Sequence, residues 1–510
     1  MKLSKIDIKN FRCFPKYEMK FAKQVTVLFG KNGSGKTTLI HAMHKSMSIF
    51  FSTDKTFKKT ISSGNPDLKV ANISPSDIWY DFDKREVAQN VSLKCEGSFE
   101  QIKLDWEMKK GSTSRAGLQS TFYKKAFLLF IKAYKKSNIL PIFSYYSDSY
   151  PHVGTNIGKY AKDTLNSGKP LPRNFGYYQW DAETSCTNIW ELRFLKVWAE
   201  MLNIIGTLEV NKIQKNNIFN ELKLLNSDLK NNSQKPLNND NEEGAYIDRN
   251  ISNIKVDVLN RELLNLEQVI NFKNDEKSKA AQEIEYIKTK LIDFSKTLSY
   301  EENENNNFEI KDISVTSMFN ENQIILTFSD NREVTFKHLP QGFKRLISIV
   351  FDISYRAFIL NGTAVPSGIV LIDEIDLHLH PSLEQEVLQR FKRTFPLIQF
   401  IVTTHSPLVL TNLNQDEENK VIKMRFEDGI YGNDDMPNLF GVDYSIGVSD
   451  IMETPARNST VEYLIDSYIR STLRGKKENA ENVYTELKEL LHDEMVLVDE
   501  EIAIKLKANK

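Results

Sequence analysis

The octapeptide Gly30-Lys-Asn-Gly-Ser-Gly-Lys36-Thr37 constrains this chain more than any other feature. It follows the apolar run 24–29 (QVTVLF) and precedes a helix-like stretch from Thr37 to Met47. Strand, glycine-rich turn and helix is the order that a phosphate-binding loop requires. Glycines let backbone amides converge on a phosphate, and the start of the following helix favours negative charge. In this reading Lys36 contacts the β- and γ-phosphates and Thr37 ligates Mg²⁺. Gly30, Lys31, Asn32, Gly33, Ser34, Gly35 and Thr38 complete the cradle. An ordinary glycine turn is the bland alternative, and a second constellation argues against it.

Residues 368–374 (GIVLIDE) read as a buried strand ending in two carboxylates. In a nucleotide enzyme, Asp373 holds the metal through its water shell and Glu374 polarises the attacking water as general base. A strand followed by an acidic turn does not explain why residues 395–404 (FPLIQFIVTT) then form another apolar strand ending at His405. A histidine there is placed to sense a γ-phosphate, although a lone histidine is more often structural.

A chain of 510 residues is several times a typical domain. Apolar alternation predicts strands over 2–9, 17–29 and 87–108, an amphipathic helix over 122–136 and a buried strand over 140–146. Helical spacing from Ile189 through Leu192, Leu195, Trp198 and Leu202 predicts a helix over 188–230. The polar tract 230–244 reads as a loop tip, and helix resumes over 247–298. These stretches form a helical hairpin or short coiled coil, with a bundle equally compatible. Strands return over 308–336. The expected division is one α/β head in two lobes, 1–200 and 305–455, an inserted hairpin, 201–304, and a C-terminal helical tail, 456–510.

Composition excludes several classes. Forty per cent hydrophobic and 11% aromatic residues supply a packed core, so a wholly disordered chain is ruled out. With 67 basic and 68 acidic residues the chain is no uniformly basic nucleic-acid binder. Cys13, Cys95 and Cys186 are too scattered for a disulfide framework or zinc site. The alternating N-terminus lacks a signal-peptide core and no apolar run reaches membrane-spanning length, which predicts a cytoplasmic protein.

In order, the loop at 30–37, the insertion, residues 339–345 (LPQGFKR), Asp373-Glu374 and His405 resemble an ABC-type ATPase head of the SMC/Rad50/RecF/OLD kind. Residues 373–381 (DEIDLHLHP) and 403–407 (TTHSP) resemble the Walker B/D-loop and switch-histidine segments of that branch, and the likeness covers roughly 1–205 and 305–410. It implies a P-loop NTPase of ABC-ATPase head type that binds ATP and Mg²⁺. It also implies a composite site, in which Gln341 and Gly342 of one protomer close on ATP held by another, so that ATP favours head dimers. This sequence departs from the pattern at Pro340, where a serine is usual. Proline suits the first helical turn, but the hydroxyl contact is lost, which predicts slow turnover. Neither Gln101 nor Gln119 has convincing Gln-loop context, and Asp77 is a guess for that role.

Residues 339–356 (LPQGFKRLISIVFDISYR), 140–146 (LPIFSYY) and 176–183 (GYYQWDAE) resemble the PtuA ATPases of Septu and retron-linked antiphage systems. That resemblance implies a homo-oligomer assembled with a separately encoded HNH nuclease of PtuB type, which it regulates. In some members it implies a reverse transcriptase with its RNA–DNA product. A RecF/SMC-like repair ATPase without a nuclease, or an ATP-stabilised scaffold, remain alternatives. No nuclease set is found in the chain itself: Asp434-Asp435 reads as a solvated turn, and Asp376, His378 and His380 as an interface segment rather than metal ligands. Between Lys103 and Lys136 nine basic residues face only Asp105 and Glu107, interleaved with Phe122, Tyr123, Phe127 and Tyr134. This is a candidate nucleic-acid contact, or the solvated face of a helix with core aromatics.

Overall fold

The structure, a computed structural model, describes residues 1–508 except 54–59, 67, 112–116, 152–156, 182–187, 234–241, 299–307, 319–320, 454–457 and 493–494. Arg115, Cys186 and most of the expected hairpin tip therefore lie outside the described residues.

The first lobe opens with β1 (Lys2–Phe11), β2 (Phe14–Lys20) and β3 (Val25–Phe29), followed by the loop and α1 (Lys36–Met47). Two short strands, β4 (Tyr80–Asp81) and β5 (Glu86–Val87), precede β6 (Asn90–Phe99), β7 (Ile102–Gly111), α2 (Thr121–Ser137), β8 (Ile142–Tyr146) and α3 (Lys159–Asn166). The long helices are α4 (Asn188–Ser233) and α5 (Glu242–Ser295). The second lobe runs through β9 (Ile310–Met318), β10 (Glu321–Phe328), β11 (Glu333–Thr335), α6 (Gln341–Asn361), β12 (Ser367–Ile372), α7 (Pro381–Thr394) and β13 (Leu397–Thr403). It ends with α8 (Pro407–Thr411), β14 (Asn419–Glu427), β15 (Ile430–Asp435) and α9 (Tyr444–Ile446). A terminal group comprises α10 (Ser459–Leu473), α11 (Lys477–Leu491) and α12 (Met495–Ala508).

The central sheet has the order β15-β14-β3-β13-β12-β8. All neighbours from β14 to β8 are parallel and only β15 is antiparallel. The whole of β3 and β8 is buried, as continuous apolar strands covered on both faces must be. Register decides what meets at the carboxyl ends. Ile372 pairs with both Val402 and Tyr146, and Val402 with Val27. The loop after β3, the carboxylates after β12, His405 after β13 and the turn after β8 thus leave along one edge, where ligands of open α/β sheets bind.

A four-stranded antiparallel sheet, β2-β1-β6-β7, covers α1 from the other side. Its alternating strands point Trp106 inward, and the indole Nε1 donates to the Ser46 carbonyl on α1 at 3.0 Å. The hairpin is rooted in the head. Ile189, Trp190 and Phe194 of α4 and Ile287, Leu291 and Phe294 of α5 belong to the main core. Further out, Ile218, Leu222 and Leu259 make a small seam of their own. Arg193 and Glu283 pair at 2.7 Å near the root, and Lys215–Glu267 and Lys255–Glu221 at 2.8 Å along the arm. Because α4 is unbroken past residue 200, lobe and insertion share one helix. The terminal helices α10–α12 pack on a separate core that includes Leu464, Ile465, Leu487 and Val498.

One local expectation fails: Asp434 and Asp435 are not in a turn. They end β15, paired to β14, where Arg425 Nε meets Asp434 at 2.8 Å and Lys420 meets Asp435 at 2.7 Å. Strand pairing overrode the Gly/Asn-rich local signal.

Candidate functional site

The loop at 30–37 has the backbone that its glycines predict. Gly30 sits at φ +151°, and a Cβ there would lie 2.1 Å from the Met424 carbonyl oxygen on β14. Gly35, at φ +92°, would drive a Cβ to 2.5 Å from the Phe14 ring. Neither position admits a side chain, so the loop is held tightly against its neighbours. Lys36 opens α1, with its Nζ donating to the carbonyls of Gly30 at 2.8 Å and Lys31 at 3.3 Å. Burial lowers its pKa, while Asp373, Glu374 and Asp376 act in the opposite direction. That opposition puts the loop lysine and the carboxylates in one electrostatic neighbourhood. Ser34 is buried with its Oγ unpartnered among the described residues. Lys31, Asn32, Gly33 and Thr37 are exposed at the crest, and Thr38 is half-buried.

The carboxylate turn is built by β13. The Thr403 hydroxyl donates to Asp373 Oδ1 at 2.5 Å and accepts the Glu374 amide at 2.8 Å. Asp373 is 5% exposed. Glu374 adopts φ +50°, which swings its half-buried side chain out of the strand line. Its carboxyl pKa is raised, first by burial, then by Asp373 and Asp148, with His405 pulling the other way. A carboxylate shifted toward neutrality is suited to take a proton from water. Asp376 accepts the Thr404 hydroxyl at 2.7 Å and the His405 amide at 3.3 Å, and His405 itself is exposed, close enough for its charge to act on Glu374.

Arg345 on α6 and the turn after β8 carried no role in the sequence reading. Arg345, 2% exposed, clamps the turn by donating to the carbonyls of Glu374 at 2.8 Å, Asp373 at 2.7 Å and Ser147 at 3.1 Å. Asp148 follows Ser147 and adds its charge to the Glu374 environment. Only the parallel pairing of β8 with β12 brings that turn here. Gly342 is demanded by packing: a Cβ would lie 2.0 Å from the His378 carbonyl oxygen. Pro340 occupies the cap position just before α6, with Gln341 exposed at its first residue. Gln341, Arg345, His378 and Asp148 line a cavity of about 430 Å³.

Other candidates fall elsewhere. Asp77 is not available as a Gln-loop substitute. Although burial pushes the other way, its carboxylate is held by the Ser74 hydroxyl at 2.7 Å and amide at 2.9 Å, Lys45 at 3.1 Å and Arg12 at 2.9 Å, which keeps its pKa low, at about 2. Gln101 lies in the β6–β7 turn and Gln119 is exposed before α2. His380 caps α7, accepting the Ser382 amide at 3.3 Å, so it serves the helix start. The basic stretch is divided by the fold. Lys110 is buried and bonded to the Ile73 carbonyl, and Tyr123 and Phe127 are core. Lys124, Lys125, Lys132, Lys135 and Lys136 stay on the outer face of α2, near the exposed Phe122.

The site suits a nucleoside triphosphate with Mg²⁺. Two loop glycines with no room for a Cβ, a buried serine hydroxyl unpartnered among the described residues, a helix N-terminus and the hard oxygens of Thr37 and Asp373 match that donor chemistry. Among the described residues no helix is long and apolar enough to cross a membrane.

Comparison with known proteins agrees with this chemistry. A retron Vc95 probable ATPase from Vibrio cholerae serotype O1 biovar El Tor is 36% identical over 151 residues, 29% of each chain. A retron Ec83 probable ATPase from Escherichia coli is 46% identical over 89 residues, 17% of this chain and 16% of that one. Septu protein PtuA from Bacillus mycoides (strain KBAB4) is 44% identical over 79 residues, 16% of this chain and 11% of the relative. The matched segments thus span less than a third of each relative. An Smc head domain with an extended coiled coil, from Pyrococcus furiosus, aligns with a TM-score of 0.42 and 14% identity, covering 85% of this chain and 96% of that one. The AAA ATPase domain family matches residues 1–410, the stretch that holds the loop, the clamped carboxylates and His405, and the chain belongs to that family.

Proposed function

We propose that this chain is the ATP-binding and slowly hydrolysing regulator of an antiphage defence complex, and that it controls a separately encoded HNH nuclease. The observation that carries the reading is that the Lys36 loop and the Asp373-Glu374 turn lie at the same edge of the parallel part of one sheet. The 30–38 cradle binds the triphosphate, and Thr37 and Asp373 hold Mg²⁺, which supplies charge neutralisation at the phosphates. Glu374 takes the proton of the attacking water, and His405, beside it, reads the γ-phosphate. Gln341 and Gly342 of a second copy cover the nucleotide, so ATP favours paired heads. Pro340 in place of a hydroxyl side chain makes turnover slow.

The defence setting rests on the retron and Septu relatives. A reverse transcriptase with its RNA–DNA product is the further partner of the retron type. The outer lysines of α2 are the candidate surface for nucleic acid.

The test is co-purification with an HNH protein of PtuB type, followed by nuclease assay with and without ATP, in wild type, Lys36→Ala and Glu374→Gln. Lys36→Ala should lose nucleotide binding and Glu374→Gln should retain ATP without turnover, each changing nuclease output. Nuclease activity that ignores ATP and both substitutions refutes the regulator role.

A further inference from the structure

A buried carboxylate outside the cradle joins three parts of the molecule. Asp352, on α6 and fully buried, accepts the Tyr146 hydroxyl at 2.5 Å, Arg356 Nε at 2.6 Å and also the Trp190 indole Nε1. Arg356, 1% exposed, also donates from Nη1 to the carbonyls of Gly176 and Tyr178 at 3.0 Å and from Nη2 to that of Gln179 at 3.1 Å. Every group in this cluster is thus partnered, and the carboxylate is approached from β8, α4 and its own helix.

Each partner leads somewhere. Tyr146 is the last residue of β8; its carbonyl accepts the Asp373 amide at 2.8 Å, and the carbonyl of the next residue, Ser147, accepts Arg345. Trp190 stands in the first turn of α4, its ring stacked on Tyr355 of α6 at 5.4 Å and 5°. One carboxylate therefore fixes the height of the β8 end, which is hydrogen-bonded to the Asp373-Glu374 turn, relative to the root of the helical hairpin. A buried ion pair gives little net stability compared with apolar packing. It gives fixed geometry instead, because its donors must arrive at set distances.

We propose that Asp352 is a positioning residue for ATP hydrolysis. Acting through the Tyr146 hydroxyl, it holds the carboxylate turn at the height at which Glu374 works, and it shares that setting with Trp190 at the hairpin root. This rests on the ATPase reading above.

The test uses the full chain with Tyr146→Phe, Trp190→Phe and their combination, each removing one donor while keeping an aromatic ring. Steady-state ATPase kinetics, nucleotide affinity and thermal unfolding are read for each, with Lys36→Ala as baseline. The expected result for Tyr146→Phe is a roughly tenfold lower kcat with KM and nucleotide affinity within about twofold of wild type, the mark of a misplaced catalytic group. Trp190→Phe lowers kcat less, and the double variant resembles Tyr146→Phe rather than the product of the two, because both donors act on one carboxylate. A kcat within twofold of wild type for Tyr146→Phe, or multiplicative effects in the double variant, overturns the proposal. So does a drop in Tm for Tyr146→Phe without that kcat–KM split. Wild-type turnover no faster than Lys36→Ala overturns the ATPase reading itself, and this role falls with it.

Discussion

Thr403→Val probes the site with the least collateral change. The Thr403 hydroxyl donates to Asp373 Oδ1 at 2.5 Å and accepts the Glu374 amide at 2.8 Å, and the side chain is fully buried. Valine keeps the volume and the β-branching and deletes both bonds. The lost bond to a buried carboxylate costs about 1.5–3 kcal/mol, and the orphaned amide, beside a half-buried residue that water can reach, about 1 kcal/mol more. The sum is about 2.5–4 kcal/mol of local stability. Freed from its donor, Asp373 should also hold Mg²⁺ less well, raising the Mg²⁺ concentration for half-maximal ATPase activity roughly tenfold, about 1.4 kcal/mol of binding. Urea unfolding followed by tryptophan fluorescence gives the first number, and ATPase rates across a Mg²⁺ titration give the second. Thr403→Ser, which restores the hydroxyl and loses only a methyl, should recover most of both. Stability within about 0.5 kcal/mol of wild type together with an unchanged Mg²⁺ requirement would refute the assignment of Thr403 as the support of Asp373 and Glu374.

Glu374 has a raised pKa, so its charged form costs stability above the ordinary glutamate range. Glu374→Gln should therefore raise Tm at pH 7–8, with the gain vanishing as pH falls below about 4, while abolishing turnover; a Tm difference independent of pH contradicts the shift. His44 is pushed down to about 3 by burial and lies against Trp180 at 4.1 Å between ring centroids. A base with a depressed folded pKa contributes stability above its unfolded value, about 6.5, that is lost as pH falls. Hence His44→Phe, which keeps the ring contact, should flatten the decline of Tm between pH 6.5 and 4; an unchanged slope sinks the idea. Reversing Lys124, Lys125 and Lys132 to Glu should weaken DNA or RNA binding and lower its salt dependence by about two to three phosphate contacts in the slope; unchanged binding rejects the α2 surface.

Much of this site can be read locally. An apolar strand of five to seven residues ending in GKNGSGKT, DE or TTH declares both its element and where its polar groups emerge, because burial of a parallel strand needs continuous apolar sequence and the polar groups must sit at its end. The helical hairpin was legible for a similar reason, as a long helical period broken by a polar tract. Partners were not. Asp77, a guess for the Gln-loop role, is held by Arg12, which is 65 residues away. The basic stretch looked continuous, but strand alternation turned Lys110 inward, and the helical repeat of α2 kept its lysines outside while burying Tyr123 and Phe127. Arg345 stood in plain view within the LPQGFKR segment, yet its contacts lie 28 and 29 residues ahead of it and 198 behind it.

The sequence by itself determined which candidate groups stand where a phosphate would be met: a loop lysine, two carboxylates and a histidine, each at the end of a strand or the start of a helix. Tertiary structure alone decided how those groups are held. The registers Ile372–Val402 and Ile372–Tyr146 set Thr403 beneath the carboxylates, Asp148 beside Glu374 and Arg345 across the turn. The physical reason is range. Propensity and burial pattern act within a few residues along the chain, whereas a hydrogen bond or a pKa shift needs atoms within a few ångströms, and only the pairing of distant strands brings them there.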